Sequence, residues 1–337
     1  MTRYYLHLLF FSLIFTSMFT QAYEVGYRKH QVVFQKANDA FPMAVLYPAT
    51  SGAKLVDFGP FKLRVSIGGD VAQGKFPLVV LSHGSGGSSL SYKDIAISLV
   101  QNGFIVAMPL HPGNNYLDNS MAGSVSNYIN RPKHISLAID NLLSTPYIHN
   151  HIESEKIAVI GHSVGGYSAL AAAGGIANTS HIIKLCESHL SLSDPYCLPV
   201  RENSIYPQLI NSPGDARIKA LVLMAPVGIL FRSKSSLDRI HIPILLLRAE
   251  KDKELTEPYN SEVIIENIKD KNQLTYKIIK NAGHYSFLTS YPEYLKSELG
   301  DVAQDPEGFD RAEFQKRLGA DVVKYLSETL AVSPNHD

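Results

Sequence analysis

The sequence has no surplus of either charge: Lys and Arg number 31, and so do Asp and Glu. No overall field would recruit nucleic acid or an anionic membrane, and no long basic run does so locally, so neither is an expected partner. Metal-site spacings are missing too, with no H-E-x-x-H and no Cys/His pairs at zinc spacing, which argues against a metallohydrolase. The G-x-G-x-x-G and Gly-Lys-Ser/Thr signatures of nucleotide binding are absent. No metal or cofactor is therefore expected. Cysteine is scarce, limited to Cys186 and Cys197. After the first segment no apolar run has membrane-spanning length, because each is strand-sized and interrupted by Pro, Gly or charge.

What remains is ordinary globular material: 337 residues, 45% hydrophobic and 18% charged, enough for one large core or two small ones. The first segment differs in kind. Arg3 supplies positive charge, Leu6 to Phe19 is almost wholly apolar, and Thr20-Gln21-Ala22 ends in the small residue that a signal peptidase needs. An apolar stretch of that length falls short of the roughly 20 residues a bilayer requires. Residues 1–22 thus read as a signal peptide and 23–337 as the mature domain, exported to periplasm or medium. Export would place Cys186 and Cys197 in an oxidising compartment, where a local disulfide between them is expected.

Along the mature chain, Gln31 to Phe34 and Met43 to Tyr47 read as short strands, followed by a Gly- and Pro-punctuated stretch to Pro77. From Pro77 onward buried strands alternate with amphipathic helices. The strands are expected at Leu78 to Leu81, Phe104 to Met108, Ile157 to Ile160, Lys219 to Met224, Ile244 to Leu247 and Leu274 to Ile279. Such alternation predicts an α/β architecture, with right-handed crossovers stacking the strands into one doubly wound, mostly parallel sheet. Between about Gly174 and Asp215 the alternation lapses, and Ser, Pro, His and both cysteines accumulate. An interval that long is a functional insertion or a flexible excursion, and a lid over the site is the favoured reading.

Gly161-His162-Ser163-Val164-Gly165 is a G-x-S-x-G motif placed between a buried strand and an Ala-rich helix. That is the context of a nucleophile elbow. Glycines permit the crowded turn, and the helix N-terminus favours negative charge developing nearby. A serine hydroxyl needs a base to become a nucleophile, and the base needs an acid to orient it. With chain order Ser, acid, His, His284 in Asn281-Ala282-Gly283-His284 is the candidate base, just beyond the strand ending at Ile279. The acid should follow the preceding strand, where Asp252 is better placed and Glu250 is its rival. Two donors must face the developing oxyanion. One is the backbone N–H of Val164. The other comes from Ser82-His83-Gly84-Ser85-Gly86-Gly87, where the N–H of Ser85 is nominated.

Several segments together resemble the dienelactone hydrolase-like branch of the α/β-hydrolases, with its relatives the platelet-activating factor acetylhydrolases and the polyester-degrading cutinase-like enzymes. They are Ala44-Val45-Leu46-Tyr47-Pro48, the Ser82 to Gly86 turn, His111-Pro112-Gly113-Asn114, Asn130-Arg131-Pro132, the Gly161 elbow and Ala282 to Phe287. The resemblance runs from about Val25 to Leu330. It implies an α/β-hydrolase fold, Ser163, Asp252 and His284 as catalytic residues, and Ser85 and Val164 as oxyanion donors. The dienelactone hydrolases proper use a cysteine nucleophile, whereas Ser163 occupies that position here. The expected activity is hydrolysis of a small-molecule or lipid ester through an acyl-enzyme. A short-chain lipase or phospholipid-acyl hydrolase is the alternative, with a peptidase or a non-catalytic binding module behind it.

Overall fold

The computed structural model describes residues 22–34, 36–189 and 191–332, with side chains throughout except at 34 and 36–39. The expected leader lies outside these residues apart from Ala22. Twelve strands form two sheets among them: β1 Glu24–Phe34, β2 Lys36–Ala49, β3 Lys54–Phe58, β4 Phe61–Ile67, β5 Phe76–Ser82, β6 Ile105–Pro109, β7 Ile152–His162, β8 Ile176–Asn178, β9 Leu209–Asn211, β10 Ile218–Met224, β11 Ile244–Ala249 and β12 Leu274–Ile279. Ten of them make one sheet in the order β12-β11-β10-β7-β5-β6-β2-β1-β4-β3. From β12 to β6 every pair is parallel. The remaining edge is mixed, with β2 antiparallel to β6 and to β1, β4 parallel to β1, and β3 antiparallel to β4.

The parallel strands are nearly continuous apolar runs because helices cover both faces. The helices are α1 Lys93–Gln101, α2 Val125–Ser144, α3 Val164–Ala172, α4 Ser180–Ser188, α5 Leu198–Arg201, α6 Ser261–Asn267, α7 Glu293–Leu299 and α8 Arg311–Thr329. Strand periodicity sorts side chains by face. Leu78, Val80, Val159 and Leu221 point to the side packed by α2 and α3, while Val79, Leu81, Ile160 and Val222 point to the side packed by α1 and α8.

The edge of the sheet is larger than the sequence reading. The two short strands expected near residues 31 and 43 are a long hairpin of 11 and 14 residues. The stretch before Pro77 holds β3 and β4. In β4 Phe61, Leu63 and Val65 are buried between exposed Lys62 and Arg64, but the charges between them and the flanking turns make the strand resemble loop.

Helix α2 begins at Ser124, whose hydroxyl accepts the N–H of Asn127. It carries Pro132 in its interior, which removes the N–H that would bond the Tyr128 carbonyl four residues back. The Tyr167 hydroxyl from α3 donates to that carbonyl at 2.8 Å. The break in one helix thereby becomes a contact that fixes the next.

The 174–215 interval is neither regular alternation nor an unanchored excursion. It contains the β8–β9 pair, helices α4 and α5, and a disulfide between Cys186 and Cys197 with Cα atoms 5.4 Å apart. Buried Asp194 accepts from the Thr256 N–H at 2.8 Å and the Thr256 hydroxyl at 2.9 Å, tying the interval to the loop after β11. Among the described residues no helix is long and apolar enough to cross a membrane. Loop-closure entropy assigns a bridge of this short separation about 2–3 kcal/mol. Replacing both cysteines by serine should lower the unfolding free energy by that amount in urea denaturation, and an unchanged midpoint would show that the bridge constrains nothing.

Candidate active site

At the C-terminal end of β7 the chain turns into α3 through Ser163, which sits at φ 57°, ψ −124°. A non-glycine residue in that region is strained by about 1–3 kcal/mol, so its surroundings must hold it there. The Ser163 N–H donates to the Met224 carbonyl at 3.0 Å, and the Ser163 carbonyl accepts from Gly166 and Val227. Two glycines make the turn sterically feasible. A Cβ at Gly161 would meet the Gly165 carbonyl oxygen at 2.1 Å, and one at Gly165 would meet the Ser82 carbonyl oxygen at 2.1 Å.

His284 lies in the loop after β12, at the same end of the sheet. Its Nδ1 is 2.8 Å from Asp252 Oδ2, and both side chains are buried. The other Asp252 oxygen accepts from the N–H groups of Glu254 and Leu255, each at 2.9 Å, so the carboxylate cannot swing away. Glu250 is engaged elsewhere: it accepts from Lys280 Nζ at 2.6 Å and from the Asn281 N–H at 2.8 Å. It braces the histidine loop at the surface while Asp252 faces the ring. Ser163 and His284 line one cleft.

The two nominated oxyanion donors flank the same cleft. Gly166 and Tyr167 bond the Ser163 carbonyl, while the N–H of Val164, at the first position of α3, has no acceptor among the described residues, as expected at a helix start. The Ser85 N–H is likewise unengaged among them. Its direction is fixed through its own peptide plane, because the Gly84 carbonyl is held by the Gly87 N–H at 3.2 Å and by His83 Nδ1 at 2.7 Å.

Side chains that sequence reasoning did not assign complete the assembly. Tyr92 on the turn before α1 accepts the Gly84 N–H at 3.3 Å, and its hydroxyl meets His162 Nδ1 at 2.8 Å. His162 Nε2 reaches the His284 carbonyl at 3.0 Å. This relay ties the glycine-rich turn, the elbow and the histidine loop together. On the other side, fully buried Arg131 donates to Ser82, His83, Asn114 and Ser168. Burial lowers its pKa to about 9. Burial and the Arg131 charge likewise lower His83 and His134 to about 3 and push His111 well down; burial and neighbouring His284 do the same to His162. The sequence signal for these groups was their place beside recognisable turns, with nothing to indicate what they touch.

The cleft encloses about 1120 Å³. Phe61, Leu90, Tyr116, Tyr196, Leu198 and Tyr291 are among its lining residues, so the 174–215 interval contributes directly. No cluster of three metal-ligating side chains occurs among the described residues.

A mostly parallel sheet flanked by helices, with a G-x-S-x-G turn at the end of a central strand, defines an α/β-hydrolase. Residues 59–228 match the family model described as chlorophyllase, and the chain belongs to that family. Among solved structures it is similar to a ferulic acid esterase from Streptomyces cinnamoneus, with a TM-score of 0.60 and 17% sequence identity over 93% of this chain and 92% of that one. No curated protein sequence matches it.

The neutral histidines make stability depend on acid. Below the ordinary histidine pKa of 6.5 the unfolded chain takes up protons that the folded chain refuses until about pH 3. Stability is therefore full above 6.5 and is lost on acidification through this window, by about 1.4 kcal/mol per pH unit for each such group. His134→Gln should flatten the dependence of unfolding free energy on pH by about one proton; an unaltered slope in urea titrations would mean that His134 titrates as an exposed imidazole.

Proposed function

We propose that this protein is an exported carboxylic-ester hydrolase acting through an acyl-enzyme on Ser163. The observation that carries the reading is the convergence, at one apolar cleft, of a serine on a strained elbow and a histidine held by a buried carboxylate. Ser163 Oγ attacks the ester carbonyl carbon, and the carbonyl π pair moves onto oxygen. His284 Nε2 takes the hydroxyl proton while Asp252 holds Nδ1–H and stabilises the imidazolium. The N–H groups of Ser85 and Val164 receive the oxyanion. Collapse expels the alcohol, which leaves with the proton from His284, and water repeats the sequence to release the acid.

Membership of the chlorophyllase family and the likeness to a ferulic acid esterase support an ester as the bond cleaved. The apolar lining and size of the cleft favour substrates with a bulky hydrophobic group, which keeps a lipase-like or phospholipid-acyl activity as the second reading. The 174–215 interval acts as a pinned wall of this cleft. Export is supported by the apolar leader with its small-residue end and by the Cys186–Cys197 bridge, which suits an oxidising compartment.

A fluorophosphonate probe should label the wild type and fail on Ser163→Ala, with p-nitrophenyl ester turnover lost by roughly 10⁴-fold or more in Ser163→Ala and His284→Ala. An unlabelled wild type would sink the serine mechanism. Asp252→Asn should be far more damaging to kcat than Glu250→Gln, and the reverse order would reassign the acid. Rates across acyl lengths separate the two readings: a rise toward long chains marks the lipase-like activity, and a fall beyond short ones marks the esterase.

A further inference from the structure

Among the described residues Arg131 is the largest fully buried side chain, and its four acceptors there are all neutral. A buried cation without a carboxylate partner is expensive, and an apolar residue of similar volume would pack there at lower cost. The contacts indicate what the charge maintains. Resting on the ester-hydrolase reading above, we propose that Arg131 is a positioning residue that aligns both oxyanion donors by clamping the 82–86 turn and the first turn of α3 to one guanidinium.

Two arms of the fork lead to the turn that carries the Ser85 donor, and the third leads to the residue that carries the other. Nη2 donates to the His83 carbonyl and, at 3.3 Å, to Ser82 Oγ. That holds the residue whose Nδ1 grips the Gly84 carbonyl, and hence fixes where the Ser85 N–H points. His83 Nδ1 can donate there only in the neutral tautomer whose Nε2 accepts the His111 N–H at 3.2 Å, and the adjacent guanidinium disfavours a second proton. Nη1 donates at 2.7 Å to Asn114 Oδ1. The Asn114 amide in turn reaches Ser85 Oγ at 2.8 Å and Asn119 Oδ1 at 2.7 Å, and the latter accepts the Gly86 N–H. Nε donates at 3.0 Å to Ser168 Oγ, which donates at 2.8 Å to the Val164 carbonyl. The two donors come from chain segments about eighty residues apart in sequence, and their mutual spacing depends on this planar group. Its uncompensated charge adds to their preference for an anion.

The test compares wild type, Arg131→Lys and Asn114→Ala after titrating active sites with the fluorophosphonate. An ammonium cannot span the four acceptors, and the asparagine variant cuts one arm. Both should lose about 10- to 100-fold in kcat on p-nitrophenyl esters with KM within about twofold. An aryl trifluoromethyl ketone gives an independent readout. Ser163 Oγ bonds to its carbonyl carbon, the π pair becomes an oxyanion and the hydroxyl proton passes to His284, so its affinity should fall in proportion to kcat/KM. A merely structural arginine would lower the melting temperature and leave both quantities per active site untouched. Folded variants that keep kcat and ketone affinity within about twofold overturn the proposal. Should Arg131→Lys fail to fold, Asn114→Ala alone decides. A wild type inert toward every ester instead overturns the hydrolase reading, and this inference with it.

Discussion

The left-handed turn at Ser163 is the constraint on which the rest of the structure depends. A strand that ends in the middle of a parallel sheet and enters a helix within one residue leaves no space for side chains on its neighbours. Gly161 and Gly165 supply that space, and the Met224 carbonyl at the end of β10 and the Val227 N–H after it supply bonds that hold the serine in its unfavourable conformation. The cost of the turn is met by a central strand flanked by β5 and β10 and buried on both faces, where fraying has no route. An elbow at a sheet edge would relax.

Beneath the cleft floor lies a polar layer unusual for a protein interior. Ser82, His83, His111, Asn114, Arg131 and Ser168 are all buried, yet every one has hydrogen-bond partners among the others or the backbone. A half-satisfied network there would destabilise the core, while a complete one fixes a single arrangement. The geometry of the cleft is thus set from below by directional bonds, and its walls are formed by apolar packing that tolerates more variation.

How much of this was legible follows from range. The parallel strands were readable because burial on both faces leaves long apolar runs, and the elbow because glycine spacing is a local steric demand. His284 stood out by its position after a strand. The choice between Asp252 and Glu250 rested on two residues in one loop, and only the three-dimensional positions of Lys280 and Asn281 show what occupies Glu250. Most of the partners through which Tyr92, His162 and Arg131 act lie 37 to 122 residues away, and no periodicity encodes such pairings. The β3–β4 hairpin was missed because charged residues interrupt its apolar ones, so that no apolar run stands out from the surrounding turns.

Pro132 and Tyr167 illustrate how such long-range pairings make one side chain depend on another. The proline leaves a carbonyl in α2 without its helical donor, and a phenol on the neighbouring helix fills the vacancy. Neither residue is optimal alone: a phenylalanine at 167 would strand the carbonyl, and an ordinary helix former at 132 would compete with the phenol for it. The two positions are therefore energetically coupled, and through them the helix that follows Ser163 is tied to the break in its neighbour.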